Sequence, residues 1–178
     1  MDLDFSPVFN VVIIYEDFET GKQARRTYDF LVENLGTDCR FENQMWKFDV
    51  LRIPKLREMA ARDAAAADII IISGHGGDEL PADVKHWVET WQGQSPNAIA
   101  LVALFDRPRE ETRPAREYLA NVANRCQMAF FAQPDDWPGK GGEEPPAASQ
   151  RHPKSRDALT SVGAAVQRAA ELPRWEAT

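Results

Sequence analysis

The stretch Asp68-Ile-Ile-Ile-Ile-Ser-Gly-His-Gly-Gly77 decides the fold of this chain. Four consecutive isoleucines are typical of a parallel strand that is buried on both faces. The apolar run ends abruptly in a small, glycine-rich turn that carries one histidine. In α/β proteins, ligands bind in the crevice beyond the carboxyl ends of such strands. We therefore expect a central strand here, with the functional site at its C-terminal end.

Other apolar runs repeat this pattern along the chain, with helical signals between them. Strands are predicted at residues 8–15, 39–48 (half exposed), 69–72, 98–105 and 128–132. Thr20 is predicted to cap the first helix, and further helices are predicted to begin at Pro54, Pro81 and Pro114. The alternation predicts an α/β three-layer sandwich around a mostly parallel, five-stranded sheet.

The composition of the chain changes after Pro134. Its 178 residues, of which 43% are hydrophobic, suit one domain of ordinary size, placed at residues 1–134. Residues 135–155 are rich in proline and glycine and predict a linker. Residues 156–172 recover a weak helical stripe, which we expect to pack on the same domain.

The charge balance excludes two classes of partner. A formal net charge of -7 disfavours nucleic acid and anionic membranes.

The two cysteines, Cys39 and Cys126, lack metal-ligand spacing and suit a reducing compartment. The N-terminus has no basic region followed by an apolar run, and no apolar segment is long enough to span a bilayer. These features predict a cytoplasmic protein.

Polar residues cluster where the predicted strands end. In a sheet of order 2-1-3-4-5, the ends of the first and third strands meet at the topological switch point. The candidate ligand-binding residues at these ends are Glu16, Asp17, Ser73, His75, Gly76, Asp106 and Gln133. The carboxylates could hold a divalent cation, and the imidazole could act as a base. The structural alternative is that Glu16 and Asp17 cap the next helix while His75 bonds a backbone group.

The order of elements between residues 8 and 134 resembles the receiver domain of two-component response regulators. The likeness consists of a strand, an acidic pair, a helix within DFETGKQARRTYDFLVENLG, and five strands in succession. It implies a flavodoxin-like fold, with a five-stranded parallel sheet of order 2-1-3-4-5, and Mg²⁺ at Glu16 and Asp17. It also implies an acceptor aspartate ending the third strand, a hydroxyl residue ending the fourth, and a lysine before the proline that follows the fifth.

This chain departs from the receiver pattern at three of those places. Ser73-Gly74 replaces the acceptor, Phe105-Asp106 replaces the hydroxyl residue, and Gln133-Pro134 replaces lysine-proline. Without a carboxylate no acyl phosphate forms, and without the lysine its charge has no fixed counter-ion. We therefore predict a receiver-like or flavodoxin-like domain that lacks catalytic activity and binds a protein partner in bacterial signalling. A homo-oligomer is left open.

Enzymatic alternatives start from the same crevice. The first is a small metal-dependent hydrolase, or an enzyme binding a phosphate ligand, built on Glu16, Asp17, His75 and Asp106. The run 73–77 also resembles the histidine segment of caspase-like peptidases, but residues 104–106 supply no nucleophile, and Cys126 precedes the fifth strand at the opposite edge of the sheet. The glycines match no P-loop, because no lysine with serine or threonine follows them.

Overall fold

The computed structural model describes residues 8–35, 40–77, 79–133 and 163. The strands are β1 (Val8–Tyr15), β2 (Arg40–Lys47), β3 (Ile69–Gly74), β4 (Ala100–Phe105) and β5 (Ala129–Gln133). The helices are α1 (Phe18–Leu35), α2 (Pro54–Ala66), α3 (Ala82–Gln92) and α4 (Arg109–Arg125). A short 3₁₀ helix (Phe48–Arg52) joins β2 to α2.

The five strands form one parallel sheet in the order β2-β1-β3-β4-β5. This confirms the predicted fold class, an α/β sandwich with the flavodoxin-like strand order. After β1 the chain returns on one side, to β2, whereas after β3 it continues on the other side, to β4. The carboxyl ends of β1 and β3 therefore open onto a crevice, with Tyr15 in register with Ser73.

The isoleucine run lies at the centre of the sheet, and its side chains pack into the hydrophobic cores on both faces. Because side chains alternate along a strand, Ile70 and Ile72 pack with α2, α3 and α4, whereas Ile69 and Ile71 pack on the side of α1. All four are fully buried. Each contributes about 1.5–3 kcal/mol to folding through burial of its side chain. This two-sided burial explains why the strand is apolar throughout.

Helix α3 and the residue Leu80 before it carry a buried apolar stripe. The buried residues of the stripe are Leu80, Val84, Trp87, Val88 and Trp91. The rings of Trp87 and Trp91 meet edge to face with their centroids 5.8 Å apart. His86, on the other side of the helix, is exposed. Both tryptophans therefore serve the core and leave no aromatic platform for a ligand on this helix.

Two predicted helix starts were wrong. Helix α1 begins at Phe18, so Thr20 lies inside the first turn instead of preceding it. Helix α4 begins at Arg109, and Pro114 lies within it. Proline at the sixth helical position removes one bond to the carbonyl four residues earlier, that of Glu110, which belongs to the exposed first turn where water can replace it.

The predicted linker (residues 135–155) and C-terminal helix (residues 156–172) lie outside the described residues, apart from Gly163, which is helical and buried. Among the residues that the structure describes, no helix has the length and apolar character needed to cross a membrane.

Candidate functional site at the switch point

A reciprocal cap begins α1 at the rim of the crevice. The Oδ1 atom of Asp17 accepts a hydrogen bond from the backbone N–H of Thr20 at 3.0 Å. The Thr20 Oγ1 accepts in return from the backbone N–H groups of Asp17, at 2.9 Å, and Glu16, at 3.0 Å. Together these bonds satisfy donors that a helix start otherwise leaves exposed. The cap fixes the Asp17 carboxylate at the mouth of the site.

Ser73 ties the end of β3 to this helix start. Its side chain is fully buried, and its hydroxyl donates a 2.7 Å hydrogen bond to the backbone carbonyl of Thr20. The backbone N–H of Glu16 donates to the Ser73 carbonyl at 3.0 Å. The hydroxyl therefore has a structural partner, and it does not face the crevice as a free nucleophile.

His75 is the hub of the site. Its backbone N–H donates to Glu16 Oε2 at 2.7 Å. Its ring bridges two carboxylates, because Nε2 lies 2.5 Å from Asp17 Oδ2 and Nδ1 lies 2.6 Å from Asp106 Oδ2. Both ring nitrogens are thus engaged by acceptors. Only an imidazolium donates from both nitrogens at once, so the geometry selects the protonated ring.

The electrostatics agree with that geometry. The hydrogen bond to Asp17 raises the pKa of His75 to about 9, with a further rise from Asp106 that outweighs the opposing effect of burial. Burial acts to raise the pKa of Asp17, but hydrogen bonds from the Thr20 amide and from His75 outweigh burial and leave that pKa below its usual value. At neutral pH the centre of the site is therefore a cation between carboxylates.

Gly76 fixes the turn after β3 against α4. Its φ is +71°, a value that glycine adopts at little cost. A Cβ at this position would lie 2.7 Å from Thr112 Cγ2 and 2.9 Å from the ring of Phe105. The turn thus needs glycine for its conformation and for its close approach to neighbouring side chains. At Gly77, by contrast, the nearest atom would be Arg107 Nη1 at 3.9 Å.

The structure brings most of the candidate residues together. Glu16, Asp17 and Asp106 all bond to His75, and Gly76 shapes the turn that carries it. Gln133 ends β5 in register with Leu104, at the far edge of the sheet, and its side chain lies outside what the structure describes.

The sequence predicted Thr20 as the cap itself, whereas Asp17 caps α1 and Thr20 bonds back to it from within the first turn. The pattern Asp17-x-x-Thr20 is a capping-box spacing with a hydroxyl in the place of the usual acid, and it could have been recognised. Sequence reasoning also missed the packing of Thr112 against Gly76.

The carboxylates fit a metal ion poorly. Asp17 gives one oxygen to the Thr20 amide and the other to His75, while Glu16 and Asp106 each give an oxygen to His75. Within the described ranges, no group of three histidine, cysteine, aspartate or glutamate side chains is arranged to hold a metal. A Mg²⁺ ion at Glu16 and Asp17 would have to displace these N–H donors and approach a positively charged ring.

Comparisons with known proteins bear on the fold. No protein-family model matches the chain, and no curated protein matches it by sequence. An oxidoreductase from Corynebacterium diphtheriae is similar in structure, with a TM-score of 0.55 and 9% identity over 94% of this chain and 100% of that one. At this identity, the likeness supports the fold that the strand order already defines, that of a flavodoxin-like α/β domain.

Two further solved structures match with lower scores. Rubredoxin oxygen:oxidoreductase from the anaerobe Desulfovibrio gigas gives a TM-score of 0.49 and 16% identity over 93% of this chain and 38% of that one. This chain thus spans well under half of that protein. A WrbA-like flavodoxin from Agrobacterium tumefaciens gives 0.43 and 13% identity over 90% of this chain and 95% of that one.

Proposed function

We propose that the chain is a non-catalytic, receiver-like domain of flavodoxin-like fold, which acts in bacterial regulation by binding a protein partner and without aspartyl phosphorylation. The observation that carries the proposal is the His75 ring held between Asp17 and Asp106. This internal cation occupies the acidic crevice where a receiver would place its metal and phosphoryl group. The crevice is thereby converted from a reaction site into a fixed, charged surface.

The residue near the end of β3 argues against phosphoryl transfer. A receiver needs a solvent-accessible carboxylate there, whereas this chain has Ser73, which is fully buried and bonded to the Thr20 carbonyl. The remaining carboxylates, Asp17 and Asp106, each give an oxygen to His75. A carboxylate that accepts bonds from a cation is a weaker nucleophile toward a phosphoryl donor.

A metal-dependent hydrolase needs a free base or a free set of metal ligands. With its pKa raised to about 9 by Asp17 and then Asp106, His75 is protonated at neutral pH and cannot accept a proton from water. Its two ring nitrogens are both engaged, so neither is a ready metal ligand. These contacts favour the binding function over hydrolysis.

A redox function with bound flavin is an alternative to consider, because the similar protein from Corynebacterium diphtheriae is called an oxidoreductase. In domains of this fold, FMN occupies the β1/β3 switch point, and helix N-termini bind phosphate groups. Here the carboxylates of Glu16 and Asp17 lie at the N-terminus of α1, and Asp17 already occupies the Thr20 amide. Repulsion between these acids and a phosphate group weighs against flavin binding.

An exposed aromatic residue beside the crevice supports association with a protein. Phe18 is the first residue of α1 and is 73% exposed. The Lys22 ammonium lies 4.6 Å from the centre of its ring. A large apolar ring next to fixed charges is typical of a binding hot spot, because it can be buried by a partner while the charges set specificity.

Three additions to the purified protein test the proposal against phosphoryl transfer, flavin binding and metal-dependent hydrolysis. Acetyl phosphate should leave the mass of the protein unchanged, whereas phosphorylation at Asp17 or Asp106 would contradict the proposal. Addition of FMN should leave the flavin fluorescence unchanged. Addition of Mg²⁺ or Mn²⁺ should give no binding heat; a signal that disappears in the Asp17→Asn variant would favour the hydrolase instead.

A photo-crosslinking experiment supplies the positive test. A benzoylphenylalanine placed at residue 18 should capture a discrete protein in cells of the source organism. The same group at Met59, which is also exposed but lies on α2, serves as the control. Equal capture at both positions, or none at residue 18, would count against a partner surface at the crevice.

A further inference from the structure

Helix α4 carries a cavity that shares no residue with the His75 site. The cavity has a volume of about 520 Å³, and its lining residues are Arg109, Arg113, Arg116, Glu117, Ala120 and Phe130. This volume falls in the range of pockets that hold small molecules. The lining is cationic although the whole chain is acidic, with a formal net charge of -7.

The arginines form one stripe on the helix. Spacings of four and three residues place Arg109, Arg113 and Arg116 on the same face of α4. Like charges four residues apart repel each other, and Arg109, in the first turn, opposes the helix dipole. The stripe therefore disfavours the isolated helix, and a bound anion would relieve both effects.

Arg116 is anchored at the floor of the cavity. The residue is only 4% exposed, and its Nη2 donates a 2.6 Å hydrogen bond to the backbone carbonyl of Arg109. A buried guanidinium held in one orientation is prepared to bind a carboxylate or phosphate without further ordering. Arg113 is exposed and forms no ion pair with the residues that the structure describes, so it can move onto a ligand.

The cavity also has an apolar side. Phe130, on the edge strand β5, is partly buried against the core on the α4 side of the sheet, and Ala120 lines the cavity from the next turn of the helix. A ligand that carries both an anionic head and a ring or short hydrocarbon would use both kinds of surface. Glu117 is a single carboxylate among the three guanidinium groups.

We propose that the cavity formed by α4 and Phe130 binds a small organic anion, a phosphate monoester or carboxylate with an apolar body. Phenyl phosphate is a suitable probe, since its dianion matches the arginines and its ring matches Phe130. Calorimetry on the full chain at low salt should give a Kd of about 0.1–1 mM, in keeping with partly screened charge contacts.

Two variants of the same helix test the assignment. Arg113→Gln should weaken phenyl phosphate binding at least about 10-fold, because it removes a charge-assisted bond. Arg125→Gln makes the same charge change about 18 Å further along α4 and should leave the affinity unchanged. Absence of binding by the natural chain, or equal weakening in both variants, would overturn the proposal.

Carboxylates of the chain itself are a second source of the same anionic chemistry. Asp135, Asp136, Glu143 and Glu144 follow β5 in the sequence. In a full-length variant with all four changed to amides, the affinity for phenyl phosphate should stay within about 3-fold of the natural value. Binding that is seen only in this variant would show that the cavity serves the chain's own acidic segment, and the proposal of an external ligand would be wrong.

Discussion

The Nε2 atom of His75 lies 2.5 Å from Oδ2 of Asp17, although 58 residues separate them in sequence. This contact joins the end of β3 to the start of α1 across the switch point of the sheet. Because Asp17 also caps α1 through its other oxygen, one carboxylate couples the histidine to the helix. The charge of His75 is therefore linked to the stability of the region around it.

The first prediction concerns pH and stability. The pKa of His75 is raised from 6.5 to about 9 by Asp17 and then Asp106, so its contribution is fully present below pH 6.5 and is lost as the pH rises through about 9. The side chains of His75 and Asp17 are 31% and 44% exposed, so solvent partly screens their interaction. We therefore expect it to contribute about 1–2 kcal/mol to the unfolding free energy at pH 6.

Urea unfolding of the natural chain and of His75→Gln at pH 6 and pH 10 measures this contribution. The difference in unfolding free energy between the two proteins should shrink toward zero at pH 10. His86→Gln, which changes an exposed histidine, should show no such difference at either pH. A difference between the natural chain and His75→Gln that grows with pH would contradict the assignment of His75 as a cation.

The second prediction ranks the two carboxylates. The hydrogen bond to Asp17 is the largest influence on the pKa of His75, ahead of Asp106. Asp17→Asn should therefore lower the pKa of His75 further than Asp106→Asn does. Nitrogen chemical shifts of the imidazole, followed by NMR from pH 5 to pH 11, give the pKa of His75 in the natural chain and in each of the two variants. A larger fall of the His75 pKa in Asp106→Asn would reverse the ranking. A His75 pKa near 6.5 in the natural chain would show that the two carboxylates do not hold the ring as a cation.

The central position of β3 was predictable because burial on both faces requires a continuous apolar run, whereas the strand order came from the resemblance to receiver domains. The run Ile69–Ile72 is typical of a central strand, and the carboxyl ends of parallel strands share one edge of the sheet. That rule places Glu16, Asp17, His75 and Asp106 together without any knowledge of side-chain conformations. The convergence of the candidate residues follows from the fold itself.

The chemistry of the site was less predictable, since it depends on the exact side-chain positions, where differences of a few tenths of an ångström decide whether a hydrogen bond forms. The sequence does not tell whether His75 faces one carboxylate or two, and that difference decides between a base and a fixed cation. The start of α4 was mispredicted for a different reason. The preference of proline for a first turn is local, whereas at Pro114 the packing of α4 on β5 and the sheet overrides it.

The third prediction concerns restoration of the receiver acceptor. Ser73→Ala should cost about 1 kcal/mol, because it removes one buried hydrogen bond to Thr20. Ser73→Asp should cost more than about 3 kcal/mol, because it buries a carboxylate near Glu16 without a cation of its own. Urea unfolding at pH 7 measures both. Ser95→Asp, at an exposed position, should be neutral. A stable Ser73→Asp protein that acetyl phosphate modifies would show that the crevice can still perform receiver chemistry.

The last prediction separates the two adjacent glycines of the turn. Gly76→Ala should destabilise the domain by about 2 kcal/mol or more, because φ is +71° and the new Cβ would lie 2.7 Å from Thr112 Cγ2. Gly77→Ala should change the unfolding free energy by less than about 0.5 kcal/mol, since its Cβ meets nothing closer than 3.9 Å. Displacement of the turn should also loosen the His75 bridge, so the pKa of His75 should fall in Gly76→Ala and stay near 9 in Gly77→Ala. Equal effects of the two substitutions on both readouts would show that the turn does not hold His75 in place.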